Sequence, residues 1–283
     1  MNKTIVTGAS GWFGKTFIYE GFNKYGFEFI EKSYFVGSYS RELLIEGINQ
    51  KIQILSPDEA RNINDASNLV QAGFITRDQI KTMGEDNYYE AIKLILEFNK
   101  MLYNNNDIQK SALISSGAVY TKDSLYSLLK IREEEIYKEF NPSSIILRVF
   151  GATGIFIENK NWSALSSFIA AHKSADNIYI KSSGKIIRSY IDFSDLSKFI
   201  LYSLYEENIC HDMTIDAVSF TTSIHELAEV IADKSNIKVI YPKNFDKNFI
   251  QNNYSSNSNE FTSIAKKKGI SLMNMHECIN RLL

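Results

Sequence analysis

The chain has 283 residues, of which 44% are apolar and 23% charged, enough for one large domain with a small lobe, or two modest domains, around a sizeable core. A net charge of −2 offers no electrostatic reason to expect nucleic acid or an anionic membrane as a partner. Cys210 and Cys278 form no CxxC pair, and His172, His211, His225 and His276 show no HxxxH or HxxH spacing, so neither a disulfide framework nor a metal site is expected. No apolar run approaches membrane-spanning length. The opening MNKTIVTGAS runs straight into a strand without the apolar stretch of a signal peptide, so the cytoplasm is the expected location.

Residues 3–7 (KTIVT) read as a short buried strand, followed by a glycine-rich turn and a helix starting over residues 15–22. Further strands are expected at 29–36, 51–55 and 68–72. The run NYYEAIKLILEFNKMLY at 87–103 places Ile92, Ile95, Leu96 and Leu102 near one face, the mark of a long amphipathic helix. SALIS at 111–115 is a strand, residues 125–140 a helix closed by Asn141-Pro142, and SIILRV at 144–149 a strand again. This alternation predicts an α/β chain with a Rossmann-type, doubly wound parallel sheet. Residues 1–154 form the dinucleotide-binding part. Residues 155–283 form a smaller substrate lobe, interleaved with the first, with helices at 162–172, 195–205 and 224–233, a short strand at 178–181, and a polar surface loop at 251–260.

TGASGWFGKTF at 7–17 satisfies two patterns. One is the spaced-glycine turn of a dinucleotide fold, with Gly8 making the turn, Gly11 admitting the pyrophosphate and Gly14 letting the helix pack close. The other is a loose P-loop from Ala9 to Gly14-Lys15-Thr16. A P-loop wraps its amides around a phosphate and favours small residues, whereas this loop holds Trp12 and Phe13 and has Ala9 at its first glycine position. No later strand ends in a convincing Asp for Mg²⁺. The spaced-glycine reading is preferred, with Ser10, Gly11, Trp12, Phe13 and Gly14 against the cofactor.

A second constellation supports it. Ser116 follows the strand at 111–115, and Tyr126 and Lys130 lie four apart on the next helix, hence on one face. Moving a hydride to or from a carbinol carbon requires moving the proton on its oxygen. A phenol can do this when a nearby ammonium lowers its pKa, while a hydroxyl holds the oxygen. Either element alone is unremarkable; the three in this order are hard to reach by accident.

Together these motifs resemble the extended short-chain dehydrogenase/reductases, specifically the NAD-dependent epimerase/dehydratase family. TGASGWFG is similar to its cofactor turn, SSGAVY to its serine segment, and YSLLKIREEE to its YxxxKxxxE helix with Tyr126, Lys130 and Glu134 in register. LVQAG at 69–73, with Ala72 and Gly73, resembles the segment along the adenosine side. ILRVFGATG at 146–154 resembles the segment that approaches the nicotinamide, and RSYIDFSDL at 188–196 a run in the substrate lobe. The resemblance implies Ser116, Tyr126 and Lys130 as catalytic residues and Lys130 at the nicotinamide ribose. It also implies Arg188 on the diphosphate of a nucleotide sugar, and a homodimer joined through the helices at 87–103 and 125–140. In the bland alternatives Arg188 pairs with Asp192, and Tyr103, Leu128 and Ile136 pack within one subunit. The Ser116-to-Tyr126 gap is shorter than the family's, and Gly117-Ala118 replace the acidic pair of sugar 4,6-dehydratases, which argues against dehydration.

The expected activity is epimerisation or keto-sugar reduction on a nucleotide-activated sugar. Reduction of a small non-nucleotide carbonyl compound and non-catalytic cofactor sensing are the alternatives. The second strand ends in FVGSYSRE, with Gly37 and Ser38 where an NAD-binding acid would lie. Ser38, Ser40 and Arg41 could instead hold a 2′-phosphate, which favours NADP(H), with NAD(H) as the alternative; in the bland reading Arg41 opens a solvated helix.

Overall fold

In the computed structural model, which describes residues 1–140, 144–157, 163–206 and 212–283, strands and helices alternate through the first half of the chain. They are β1 (Thr4–Thr7), α1 (Trp12–Tyr25), α2 (Phe27–Glu31), β2 (Ser33–Val36), β3 (Arg41–Leu43), β4 (Ile52–Leu55), α3 (Pro57–Ala60), β5 (Asn68–Gln71), α4 (Ile80–Met83), α5 (Glu85–Asn105), β6 (Lys110–Ser116), α6 (Leu125–Phe140) and β7 (Ser144–Val149). Then follow β8 (Ala152–Thr153), α7 (Ala164–Ser174), β9 (Ile178–Tyr179), β10 (Gly184–Asp192), α8 (Phe193–Tyr205), β11 (Met213–Ala217), β12 (Phe220–Ser223), α9 (Ile224–Ser235), β13 (Val239–Ile240), β14 (Asp246–Tyr254), α10 (Glu260–Lys267) and α11 (Met275–Leu282). Two units emerge: Met1–Arg148 with Ser197–Ile215, and Val149–Leu196 with Asp216–Leu283.

The first unit is built on an eight-stranded sheet in the order β11-β7-β6-β5-β1-β2-β4-β3. β1 pairs in parallel with β2 and β5, β5 with β6 and β2 with β4, while β3 runs antiparallel along the edge. The strand order reverses beside β1, which makes the ends of β1 and β5 the switch point where such sheets bind ligands. Side chains alternate across the sheet as a strand requires. Ile5, Leu69 and Leu113 pack with Leu102, Tyr103 and Tyr137 of α5 and α6. On the other face, the Thr4 hydroxyl meets Tyr205 of α8, whose ring packs edge-on against Tyr25 of α1. Desolvation raises the Tyr205 phenol to about 12.

Three expectations change. The stretch 29–36 is a strand only from Ser33. Its apolar start belongs to α2, where Phe29 is fully buried against Phe17 and Phe35 and serves a helix face. Arg41 opens strand β3, not a helix, because residues 41–43 pair with Ile54 back to Ile52 of β4. The stretch 251–260 is not a loop throughout: residues up to Tyr254 belong to β14, which pairs in parallel with β10. Its side chains are exposed, so the backbone ladder of this edge strand leaves no apolar signal.

In the second unit β10 is central, flanked by β14 and by antiparallel β12, and joined by β8 at Ile191 and Asp192. Its core joins Leu165, Phe168 and Ile169 of α7 to Leu227, Ala228 and Ile231 of α9, with Tyr190 and Ile279. Ser163 caps α7, accepting from the Ser166 amide. Asn141-Pro142, Trp162, Cys210 and His211 lie outside the described residues.

Candidate active site

The glycine turn is a close meeting of backbones. Gly8 takes φ +67°, and a Cβ there would lie 2.7 Å from the Ala72 carbonyl carbon and the Gly73 nitrogen. The Thr7 hydroxyl accepts from the amides of Ala72 and Gly73 at 3.3 and 3.2 Å, locking the ends of β1 and β5 together. A Cβ on Gly14 would come within 2.4 Å of the Gly8 carbonyl oxygen, so α1 can press against the turn only at a glycine. Gly11 caps α1 with no side-chain cap and no acidic residue in the first turn. The amides of a helix N-terminus left in this way favour an anion, as a pyrophosphate cradle requires. Ser10 lies at the end of β2, its hydroxyl 3.2 Å from where a Cβ on Gly37 would stand. Phe13 is buried and stacks on Phe17. The Thr16 hydroxyl donates to the Trp12 carbonyl at 3.0 Å and is fully buried. It is a helix-interior residue, which removes the hydroxyl that a P-loop would turn towards a metal.

At the end of β6, Ser116 caps the short helical turn Gly117–Tyr120, its hydroxyl accepting from the Ala118 amide at 3.2 Å. Ser124 and Ser127 cap α6 reciprocally, each amide donating to the other's hydroxyl. The helix therefore starts promptly despite the short connection, with Tyr126 in its first turn. The ring of Tyr126 meets Phe74 edge-on at 5.9 Å. Lys130, almost fully buried, places Nζ 3.8 Å from the centre of the same Phe74 ring. It donates to the Ile114 carbonyl at 3.0 Å, two residues before Ser116. The structure thus gathers Tyr126 and Lys130 at one aromatic ring and ties Lys130 to the strand that carries Ser116.

Of the further participants, Glu134 stands at the position named by the YxxxKxxxE resemblance, and the others carry no such signature. Glu133 accepts from Lys130 at 2.7 Å and from the Gln71 amide at 3.0 Å. Burial pushes its carboxyl above the usual carboxylate range, opposed chiefly by the charge of Lys130. Glu134 holds Arg148 in a two-pronged pair, Nε at 3.0 Å and Nη2 at 2.6 Å, and accepts from Ser115. The Glu134 hydrogen bonds lift the Arg148 guanidinium still further above its ordinary value. Arg148 also donates to the Tyr120 hydroxyl at 2.8 Å. A carboxylate three residues after Lys130, on the same helical face, was the one available hint for Glu133.

Beyond β2, the Arg41 guanidinium lies over the Tyr39 ring, 4.7 Å from its centre, and donates to its hydroxyl. Ser40 donates to Glu59 of α3 at 3.2 Å. Glu59 is held below the usual carboxylate range, first by the Ser56 amide and then by Ser40. Expectation had placed no acid here, because Glu59 arrives from a different strand-to-helix connection.

In the second unit, Arg188 sits on β10, donates to the Ile187 carbonyl and to Asn252, both at 2.7 Å, and lies 5.9 Å from the Tyr254 ring centre. Among the described residues it has no carboxylate partner, and burial lowers its pKa. The bland pairing with Asp192 is not made. Asp192 is fully buried and accepts instead from Arg281 at 2.8 Å, from the Ser194 amide and from Thr153.

Among solved structures the chain matches UDP-N-acetylglucosamine 4-epimerase from Bacillus cereus, with TM-score 0.71 at 16% identity over 100% of this chain and 98% of the other. It matches UDP-N-acetylglucosamine 4-epimerase from Methanobrevibacter ruminantium M1 in complex with UDP-N-acetylmuramic acid, with TM-score 0.69 at 17% identity over 99% and 97%. It also matches MoeE5 in complex with UDP-glucuronic acid and NAD, with TM-score 0.72 at 14% identity over 98% and 96%. The chain has the fold of these proteins. No family model matches it, and no curated protein matches its sequence. No helix among the described residues is long and apolar enough to cross a membrane.

Proposed function

We propose that this protein is a nicotinamide-dependent oxidoreductase of the epimerase/dehydratase type, acting on a nucleotide-activated sugar by epimerisation or keto-sugar reduction. One observation carries the reading: Tyr126 and Lys130 share the Phe74 ring, and Lys130 is bonded to the strand that ends in Ser116, in a unit whose switch point holds the glycine turn. The similar structures, whose names include UDP-sugars and NAD, point the same way.

Helix α1, which opens at Gly11 with no side-chain cap and no acid in its first turn, and the glycine backbones fit a dinucleotide pyrophosphate. When bound, the nicotinamide takes up or returns a hydride at a sugar carbon. Tyr126 removes the proton from the carbinol oxygen as the carbonyl forms, and returns it on reduction. Ser116 donates a hydrogen bond to that oxygen. Lys130 supplies the positive charge that favours the ionised phenol. Arg188, without a carboxylate partner among the described residues, suits an anionic group such as a diphosphate, which a guanidinium grips bidentately.

Of the two cofactors, NAD(H) fits better than the NADP(H) expected from Arg41. Glu59 sets a negative charge beside Ser40, one of the residues meant to hold a 2′-phosphate, and Arg41 is engaged by Tyr39. Parallel titrations with NAD⁺ and NADP⁺, followed by nucleotide-sugar turnover, test the reading. NAD⁺ should bind more tightly, and Glu59→Gln should narrow the difference. Failure to bind either dinucleotide overturns the assignment. A homodimer through α5 and α6 belongs to the same proposal, supported by exposed Tyr89, Leu94 and Leu128, whereas Tyr103 and Ile136 pack inside the subunit.

A further inference from the structure

Glu133 takes no part in the chemistry described above, yet it is a carboxylate with 2% side-chain exposure in contact with a lysine with 4%. A lone ammonium at that depth lacks hydration and sheds its proton, with pKa falls of up to about 3 to 5 units for fully buried groups. Lys130 has three N–H donors. One goes to the Ile114 carbonyl and one to Glu133. Phe74 covers the amine with a ring face and adds cation–π attraction without a counter-charge.

The other polar and charged groups around the pair are accounted for. On α6, Glu134 is bound by Arg148 of β7 and by Ser115 of β6, and Tyr126 sets its ring edge-on against Phe74. On α5, Tyr88 donates to the Ile75 carbonyl and Tyr103 packs edge-on against Tyr137; both feel Glu133 as a nearby negative charge. On β5, Gln71 turns its amide donor to Glu133. Arg148 is thus committed to Glu134, and Lys130 is the cation that Glu133 contacts.

We infer that Glu133 is a positioning residue, the buried counter-ion that keeps Lys130 charged and holds its ammonium in place beside Phe74. The inference rests on the roles proposed for Tyr126 and Lys130. Gln71 extends it: lying just before Ala72 and Gly73, it connects the carboxylate to the strand end that packs on Gly8. In this arrangement the Glu133 carboxylate, 2.7 Å from Nζ, is the counter-charge that lets a buried ammonium keep its proton. Without Glu133, burial draws the lysine pKa down, and its charge disappears as pH rises through that lower value.

Two readouts test this on the full-length protein. The first is pH-dependent amine acetylation of Lys130, quantified by peptide mass spectrometry without cofactor. The labelling midpoint of Lys130 in Glu133→Gln should fall at least two pH units below that of wild type. The second is the Kd for NAD⁺ between pH 6 and 9. It should stay flat for wild type, weaken at least tenfold with rising pH in Glu133→Gln, and be weak but flat in Lys130→Met. A merely structural Glu133 would change Kd equally at every pH and leave the Lys130 labelling midpoint unmoved, which overturns the inference. Should Glu133→Gln fail to fold, Gln71→Leu keeps both charges while removing one donor to the carboxylate. It should shift labelling in the same direction by less, and an unmoved midpoint there is equally decisive. If wild type binds no dinucleotide, the proposed function falls, and the labelling result still judges the counter-ion.

Discussion

Tyr126→Phe tests the proposed chemistry with little structural disturbance. The ring that meets Phe74 edge-on is retained. Among the described residues the Tyr126 hydroxyl has no hydrogen-bond partner to orphan, and the side chain is only half-buried. The stability change should therefore lie within about 0.5 kcal/mol, as for substitutions that break no buried contact. Turnover is different, because the substitution removes the one proton the proposed step transfers. General acid–base groups contribute about 100- to 10,000-fold, which is about 2.7 to 5.4 kcal/mol of barrier at 1.36 kcal/mol per tenfold. The assay is turnover of a panel of UDP- and dTDP-sugars, followed by nicotinamide absorbance and sugar analysis, alongside thermal melting and an NAD⁺ titration. The expected pattern is a loss of at least two orders of magnitude in kcat with melting and Kd unchanged. Near wild-type turnover would refute Tyr126 as the acid/base; a large fall in melting temperature would refute the structural argument.

Gly14→Ala should impair folding and cofactor binding together. Its Cβ would lie 2.4 Å from the Gly8 carbonyl oxygen, 1.0 Å short of the 3.4 Å where ordinary contact begins. Overpacking of this kind costs about 1–3 kcal/mol, measurable by denaturant unfolding, and the displaced α1 terminus should weaken NAD⁺ binding in the same variant. Arg188→Lys should raise KM for a nucleotide sugar and weaken inhibition by free nucleoside diphosphate, with little change in NAD⁺ affinity. Equal kinetics in wild type and variant would instead favour a substrate without a diphosphate. Glu226 is held below the usual carboxylate range, first by the Ser223 amide in the capping box of α9. A lowered folded pKa stabilises the fold above the unfolded value of about 4.3, and that stability is lost as pH falls through the folded value. Glu226→Gln keeps a capping-box acceptor but removes the charge, so it should lower stability at neutral pH by about 0.3–1 kcal/mol, the range for a charge at a helix N-terminus, and flatten the acid side of the melting profile. An unchanged slope would show that another carboxylate governs it.

Local chemistry determined much of this protein. Short β-branched runs such as TIVT and SIILRV can hardly be anything but buried strands, and Gly8 and Gly14 occupy positions where any side chain would strike backbone. Tyr126 and Lys130 shared a helical face by spacing alone. Tertiary structure decided what those residues touch. Phe29 looked like a strand residue because an apolar side chain reads alike in any buried element, and only its packing under α1 makes it part of a helix. β14 was invisible because an exposed edge strand is held by backbone bonds, which carry no side-chain signature. Glu59, Gln71 and Phe74 reach the candidate site from separate connections, and pairing between strands distant in sequence brings them there. Arg188 and Asp192 lie four residues apart on one strand, about 13 Å at ~3.3 Å per residue, too far for an ion pair. Arg281, arriving on α11, binds the buried Asp192 carboxylate, and Arg188 has no carboxylate partner among the described residues.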